Sequence, residues 1–331
     1  MMIKKDKINV VLTEYSNKRY DEAMIKKYGE EYREYRSRYL QLVGRHPIHL
    51  DFEIIDNCNF RCNMCPRSTD LPFDKKKKIN TGIEFPFDTY KSIIDYGVKN
   101  GLLSVSFGVG DEPLLNKKLM KFVKYAHKKN IMDIRMHTNG LLMTPDISKE
   151  FIENGITWLS ISLDAVDEES FMQARNNRKY DEIVKNINDF LEIRKNLSSD
   201  LPSIRLSYIL IDENHINQKD RFIEKWVGKV DHVGIQNCMD FNVSKYGNIR
   251  KFFCQDPFRR LWIRANGDVY PCCCMVHVSS MLNTGYMGNI KDKTISEIWN
   301  GDKMNDFRKS FIDVKPKDIC IECWEKRTRG L

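Results

Sequence analysis

The chain has 331 residues, 41% hydrophobic and 30% charged, an ordinary globular composition that excludes a disordered or fibrous protein. The N-terminal stretch carries no apolar export signal, and no run approaches the roughly 18 uncharged apolar residues of a helical membrane span, so a cytoplasmic protein without membrane attachment is expected. Lys and Arg number 54 against 46 Asp and Glu, a net charge of +8; this mild excess reads as solubility, does not call for nucleic acid, and leaves room for an anionic substrate or an acidic electron donor.

Ten cysteines are many for a chain with no export signal. A reducing compartment argues against disulfides, and the cysteines group: three at 58–65 and six between 254 and 323. Clustered thiols under reducing conditions point to metal.

Residues 1–47 are charged and helical in character and carry no chemical motif. From 48 to 245 short β-rich runs alternate with amphipathic segments. The candidate strands are 49–55, 103–108, 132–138, 157–164, 203–210 and 232–237. Asp88 and Asn116 are candidate helix caps, Thr144-Pro145 is a helix start, and Asn154-Gly155 is a helix stop. Ile183, Ile187, Phe190 and Leu191 recur at helical spacing, and 216–227 is a weaker helix. The lysine run 75–78 reads as a solvated loop. Repeated strand–helix alternation implies parallel strands joined by right-handed crossovers. The fold class is therefore α/β, and six strands suit a partial (β/α)6 TIM-like barrel with its chemistry at the C-terminal strand ends. From 246 to 331 the pattern changes. Asn266-Gly267 marks a β-hairpin, Thr294–Glu297 is a capping box opening a helix, and a small second domain is expected.

The stretch after the first strand, Cys58-Asn-Phe-Arg-Cys62-Asn-Met-Cys65, spaces three thiols as C-x3-C-x2-C. Three thiolates on a cubane leave one iron without a protein ligand, and an open metal position suits catalysis. Zinc is the competing reading, but it wants a fourth ligand, and the nearest histidine in sequence is His49. Gly108-Val-Gly-Asp-Glu-Pro113 ends the second strand and Thr138-Asn139-Gly140 the third; alternation places Ser160, Ser162 and Asp164 on one face of the fourth.

The thiol motif, its place in the chain and the six-strand rhythm resemble the radical S-adenosylmethionine (SAM) superfamily over about residues 48–240. The resemblance implies a 4Fe–4S cluster held by Cys58, Cys62 and Cys65. SAM would chelate its open iron, and reductive cleavage would give a 5′-deoxyadenosyl radical that abstracts a substrate hydrogen. Gly110-Asp111-Glu112 resembles the family's GGEP motif, with Asp111 in place of its second glycine. The SAM contacts implied are Gly110, Asp111, Glu112, Thr138, Asn139, Ser160, Ser162, Asp164 and Arg175. Met64 stands where relatives often carry an aromatic residue.

Cys254, Cys272, Cys320 and Cys323, with the intervening hairpin and the GN and EIW segments, closely resemble the SPASM/twitch extension of that family. The resemblance implies one auxiliary 4Fe–4S cluster with four protein ligands. Cys273 is the alternative to Cys272, Cys274 a candidate for a second partial site, and a four-cysteine zinc site the competing reading.

The function so implied is oxidation of a small polar substrate, a sugar or aminocyclitol. The auxiliary cluster would accept an electron, and a flavodoxin- or ferredoxin-type donor would start the reaction. Its general base would be His137, Glu112 or Arg205. Epimerisation with Cys238 returning a hydrogen atom is an alternative, as is modification of a peptide, although 1–47 is short for a leader-binding domain. A metal-stabilised binding module is the non-catalytic option, separated by an iron and sulfide assay.

Overall fold

Strands in which apolar and polar residues alternate must bury two faces of different chemistry, and this chain does so throughout its sheet. A computed structural model describes residues 18–40, 44, 46–68, 80–108, 110–238, 254–276, 285–313 and 315–328. The lysine run 75–78 and the expected boundary at 245/246 lie outside them. Strands β1 (His49–Phe52), β2 (Ser104–Phe107), β3 (Asp133–Thr138), β4 (Trp158–Ser162), β5 (Ser203–Leu210) and β6 (His232–Asn237) each fall within a predicted run. Neighbours pair in parallel from β1 to β6. The connecting helices are α3 (Phe87–Lys99), α4 (Leu119–Lys128), α5 (Pro145–Glu153), α6 (Glu168–Arg175), α7 (Tyr180–Asn196) and α8 (Glu213–Trp226). The partial TIM-like barrel is thus the observed architecture.

One face of the sheet is apolar. Leu50, Phe52, Val105, Phe107, Ile134, Met136, Leu159, Ile161, Ile204 and Leu206 join the helices in one buried core. The alternate residues face the barrel interior and are polar. His49 bonds Ser104 Oγ at 2.7 Å through Nδ1, and its Nε2 lies 2.9 Å from Ser106 Oγ and 3.1 Å from Asp51. Burial lowers the pKa of His49, against the opposing pull of Asp51.

Two helices precede the barrel, α1 (Lys18–Tyr28) and α2 (Glu30–Leu40). They close its N-terminal end. Tyr20 and Tyr35 donate to Asp133 at 2.7 and 2.8 Å, and Tyr20 packs edge-on against Trp158. Arg135 and Thr157 also donate to Asp133, at 2.8 and 2.7 Å.

The predicted hairpin forms around Asn266-Gly267 as strands β7 (Arg260–Ile263) and β8 (Asp268–Tyr270), with Gly267 at φ 94°. It does not build a sheet of its own. β7 pairs in parallel with β1, giving the order β6-β5-β4-β3-β2-β1-β7-β8-β9, where β9 is Gly288–Asn289. The lock is inside the barrel: Arg260 grips Asp51 through two bonds of 2.8 and 2.6 Å.

Local signals met mixed fates. Thr144 caps α5, and Thr294 and Glu297 form the capping box of helix Ile295–Asn300. Asp88 sits inside the first turn of α3 rather than at its cap, which is Pro86, because the chain enters the helix two residues earlier. Asn116 instead ends a short 3-10 turn and accepts from the Lys118 amide, while Lys118 is the N-cap of α4. The α5 stop depends on Gly155, whose φ is 83° and whose added Cβ would stand 2.3 Å from His127 Nδ1. Gly155→Ala is expected to cost about 1–3 kcal/mol, read as a lowered midpoint in thermal unfolding; an unchanged midpoint would contradict it.

Candidate active site

The loop after β1 and the C-terminal ends of β2, β3 and β4 surround one cleft. Cys58, Cys62 and Cys65 line it, with Gly110, Asp111, Glu112, Thr138, Asn139, Ser162 and Arg175. All three expected cluster thiols and seven of the nine expected SAM contacts therefore meet in one place. Ser160 and Asp164 stand beside it. Ser160 accepts from Arg205 at 3.4 Å. Asp164, in the left-handed region at φ 52°, accepts the Ile209 amide at 2.8 Å and pairs with Arg175.

Burial pushes the Cys58 thiol up to about 11, and the charges of Glu112, Cys62 and Cys65 add to this, which places the three thiols within electrostatic reach of one another. A bound cationic metal centre reverses that preference by stabilising the thiolates. Arg175 Nη1 points at Cys62 Sγ from 3.5 Å. Glu112 is fully enclosed, and burial raises its carboxyl to about 7 against three donors. These are Thr138 Oγ1 and the Asn139 amide at 2.8 Å and the Leu114 amide at 3.2 Å. Glu112 thereby ties the end of β2 to the end of β3.

Several cleft residues were not anticipated. Arg67, two positions beyond Cys65, donates to Glu53 at 2.9 Å and to Asp56, anchoring the end of the thiol loop to β1. Arg264 of the hairpin reaches the same two carboxylates, at 3.4 and 3.7 Å. Asn80 Oδ1 accepts the Cys58 amide at 3.2 Å. A signal was present for their partner Glu53: Asp51 and Glu53 alternate with Leu50, Phe52 and Ile54, a period of two that marks an inward polar face.

The second thiol set lies at the other end of the chain. Helix Asp318–Thr328 carries Cys320 and Cys323 one turn apart, and the 272–274 run follows β8. Burial pushes the Cys272 thiol up, and Cys273, Cys254 and Cys320 reinforce the shift. Cys274 shares a hydrogen bond with Cys323. The four expected ligands and the two uncertain ones therefore form a single neighbourhood. Among the described residues, no three His, Cys, Asp or Glu side chains close on one metal ion. Cys238 lies just past β6, half-buried, its amide donating to Leu210 O at 3.1 Å; it is not among the residues lining the cleft.

The radical SAM superfamily model matches residues 52–204, and the SPASM model, an iron–sulfur cluster-binding domain, matches residues 254–324. The chain belongs to the radical SAM superfamily. It is similar to the tungsten-containing aldehyde ferredoxin oxidoreductase cofactor-modifying protein of Pyrococcus furiosus, 22% identical over 337 residues, covering 83% of this chain and 91% of that protein. It is 30% identical to GTP 3′,8-cyclase of Campylobacter jejuni over 172 residues, 51% of this chain, and spans about half of that relative's length, 51%. Its fold is similar to Streptococcus suis SuiB bound to S-adenosylmethionine, with TM-score 0.60 and 14% identity over 88% of this chain and 73% of that one.

Membership of this family with a SPASM segment brings SAM, a 4Fe–4S cluster and auxiliary iron–sulfur chemistry. The residues present fit such a load. Around the thiol loop, Arg67 Nε, Asn80 Nδ2, Arg175 Nε and both Asp111 carboxylate oxygens are buried without a hydrogen bond. Buried polar atoms left in this state are costly, and a bound polar group in the cleft supplies partners. Among the described residues no helix is long and apolar enough to cross a membrane.

Proposed function

We propose that this radical SAM enzyme oxidises a small polar substrate, a sugar or aminocyclitol, in the barrel interior. The observation that carries this reading is the chemistry of the inner barrel face. Ser104, Ser106, Arg135, Ser160, Arg205 and Ser207 are all buried and polar, a lining that matches a ligand rich in hydroxyl groups and disfavours an apolar one. Helices α1 and α2 close the far end, so substrate enters from the side of the thiols. The names of both sequence relatives, a cofactor-modifying protein and a GTP cyclase, describe chemistry on small molecules.

In this reading Cys58, Cys62 and Cys65 hold the SAM-binding cluster. Gly110, Asp111, Glu112, Thr138, Asn139, Ser160, Ser162, Asp164 and Arg175 shape the SAM pocket, and Cys254, Cys272, Cys320 and Cys323 hold the auxiliary cluster. Bound SAM and the two clusters supply hydrogen-atom abstraction and one-electron transfer. The carbinol carbon loses a hydrogen atom, the hydroxyl loses a proton to a base, and one electron leaves the substrate, giving a ketone. His137, half-buried near the top of β3, is the base proposed, since Glu112 already accepts three hydrogen bonds and Arg205 is a cation. A flavodoxin- or ferredoxin-type protein delivers the priming electron.

The test is anaerobic incubation of the reconstituted enzyme with SAM, reductant and a panel of sugars and aminocyclitols, scoring 5′-deoxyadenosine and substrate mass. Loss of the mass of two hydrogens is expected; modification confined to peptides would overturn the reading, and SuiB has been solved with its precursor peptide SuiA. Epimerisation is the second reading. His232, Gly234 and Gln236 alternate along β6, a series that continues to Cys238, and Gly234 faces the lumen against Arg205. Product of unchanged mass, with deuterium uptake abolished by Cys238→Ala, would select it.

A further inference from the structure

We propose that Arg205 and His232 form a receptor inside the barrel for an anionic group of the substrate, a carboxylate or a phosphate monoester. The choice of a sugar carrying that group rests on the function proposed above; the receptor itself rests on the inner face of β4, β5 and β6. Register sets Arg205 between Ser160 of β4 and His232 of β6. Arg205 Nη1 donates to Ser160 Oγ at 3.4 Å, and the guanidinium lies over Gly234, where an added Cβ would stand 2.3 Å from Nη2 and 2.4 Å from Nε. Only glycine leaves that shelf open. Gly234 aligns with Ser207, and Ser207 with Ser162, which lines the thiol cleft. Arg205, 7% exposed, therefore reaches the level at which the lumen meets the cleft.

Two observations point to an anion. The first is the charge of the lining. Asp51 is engaged by Arg260 at 2.8 and 2.6 Å, and Asp133 by Arg135 at 2.8 Å; Arg205 is a further cation on the same face. A guanidinium carries five donors and no acceptor, and a carboxylate or phosphate takes two of them at once through charge-assisted bonds. The second is His232. It is 1% exposed, its ring stacks on Trp158 with centroids 4.9 Å apart, and neither Nδ1 nor Nε2 has a hydrogen bond. Buried polar atoms in that state are costly, and a ligand beside Arg205 supplies partners for them. Burial, reinforced by Arg205 and Arg19 against Asp231, lowers the ring to about 4, so it is neutral near pH 7. A neutral imidazole offers one N–H to the anion and one acceptor to a neighbouring hydroxyl. Guanidinium, imidazole and serine together fit a hydroxylated acid, such as a uronate or a sugar phosphate.

SAM also carries a carboxylate, and the experiment separates the sources. Reconstituted holoenzyme is titrated calorimetrically with SAM. The SAM-saturated enzyme is then titrated with glucuronate, glucose 6-phosphate and glucose. The variants are Arg205→Gln, Arg205→Lys, which keeps the charge without the fork, and His232→Phe, which keeps a ring on Trp158 and removes both nitrogens. Iron content and thermal midpoint confirm that each is loaded and folded, and His232→Phe carries the test if the arginine variants do not fold. Wild type is expected to bind at least one of the two anions about tenfold more tightly than glucose, and the anion preferred identifies the group. Arg205→Gln and His232→Phe should lose that preference, and Arg205→Lys should keep part of it. His232→Phe should keep or raise the thermal midpoint, because it removes two unbonded buried atoms, so its loss of binding is not a loss of fold. Equal affinity for all three sugars in wild type, or a preference that survives in Arg205→Gln, would overturn the receptor. A tenfold loss on SAM in Arg205→Gln would assign the guanidinium to the cofactor and overturn the substrate assignment. Since binding alone is read, failure here is distinct from failure to find an oxidised product.

Discussion

Cys62→Ala is expected to lower the iron of anaerobically reconstituted protein from about eight to about four per chain and to abolish SAM cleavage. Cys62 is the most buried of the three loop thiols, and Arg175 directs a guanidinium N–H at its sulfur. In the assignment proposed above the primary site has three protein ligands, so losing one leaves two, too few to retain a cubane. The thiols proposed for the auxiliary cluster are on other elements and are expected to keep their metal. Cys320→Ala should therefore behave in the opposite sense, lowering iron by a similar amount while leaving SAM cleavage in place. Iron and sulfide analysis with an assay for 5′-deoxyadenosine reads both. Full iron content and intact cleavage in the Cys62 variant would remove the assignment of the cluster.

The second large effect concerns the barrel floor. Asp133→Asn is expected to destabilise the protein by about 3–5 kcal/mol, because it leaves the buried Arg135 without its counter-charge. Burial alone would raise the Asp133 carboxyl, but Arg135, Thr157 and Tyr20 outweigh it and hold the group at about 2, below the ordinary 3.8. A depressed carboxyl adds stability that is fully present above pH 3.8 and is lost as pH falls through 2. The contribution is roughly 2 kcal/mol. Acid titration of chemical stability should show this limb in wild type and not in the variant, and equal acid limbs would argue against the network. Since Tyr20 and Tyr35 of α1 and α2 donate to the same carboxylate, proteolysis within the first helices should also accelerate in the variant.

The sequence was most legible where one residue type has one physical reason to be there. Short β-rich runs located all six barrel strands, Thr144 and Thr294 marked their helices, and Asn266-Gly267 marked its turn. The thiol spacing and the glycine-rich turn named most of the cleft. What stayed hidden depends on pairs far apart in the chain. Nothing local to Arg260 announces that its partner is Asp51, so the parallel docking of the hairpin on β1 was not foreseen. Arg67 and Arg264 each look like solvated cations until Glu53 is placed between them.

The parallel pairing of β7 with β1 makes the C-terminal segment part of the barrel wall. Cutting the chain ahead of residue 254 would strip a whole row of backbone donors and acceptors from β1, leaving an open, flat margin able to recruit another polypeptide. The barrel is thus expected to be insoluble when expressed alone, however well its own six strands are formed. Gene fusions that shuffle such modules would have to carry the hairpin along with the barrel rather than trade it as a detachable cap.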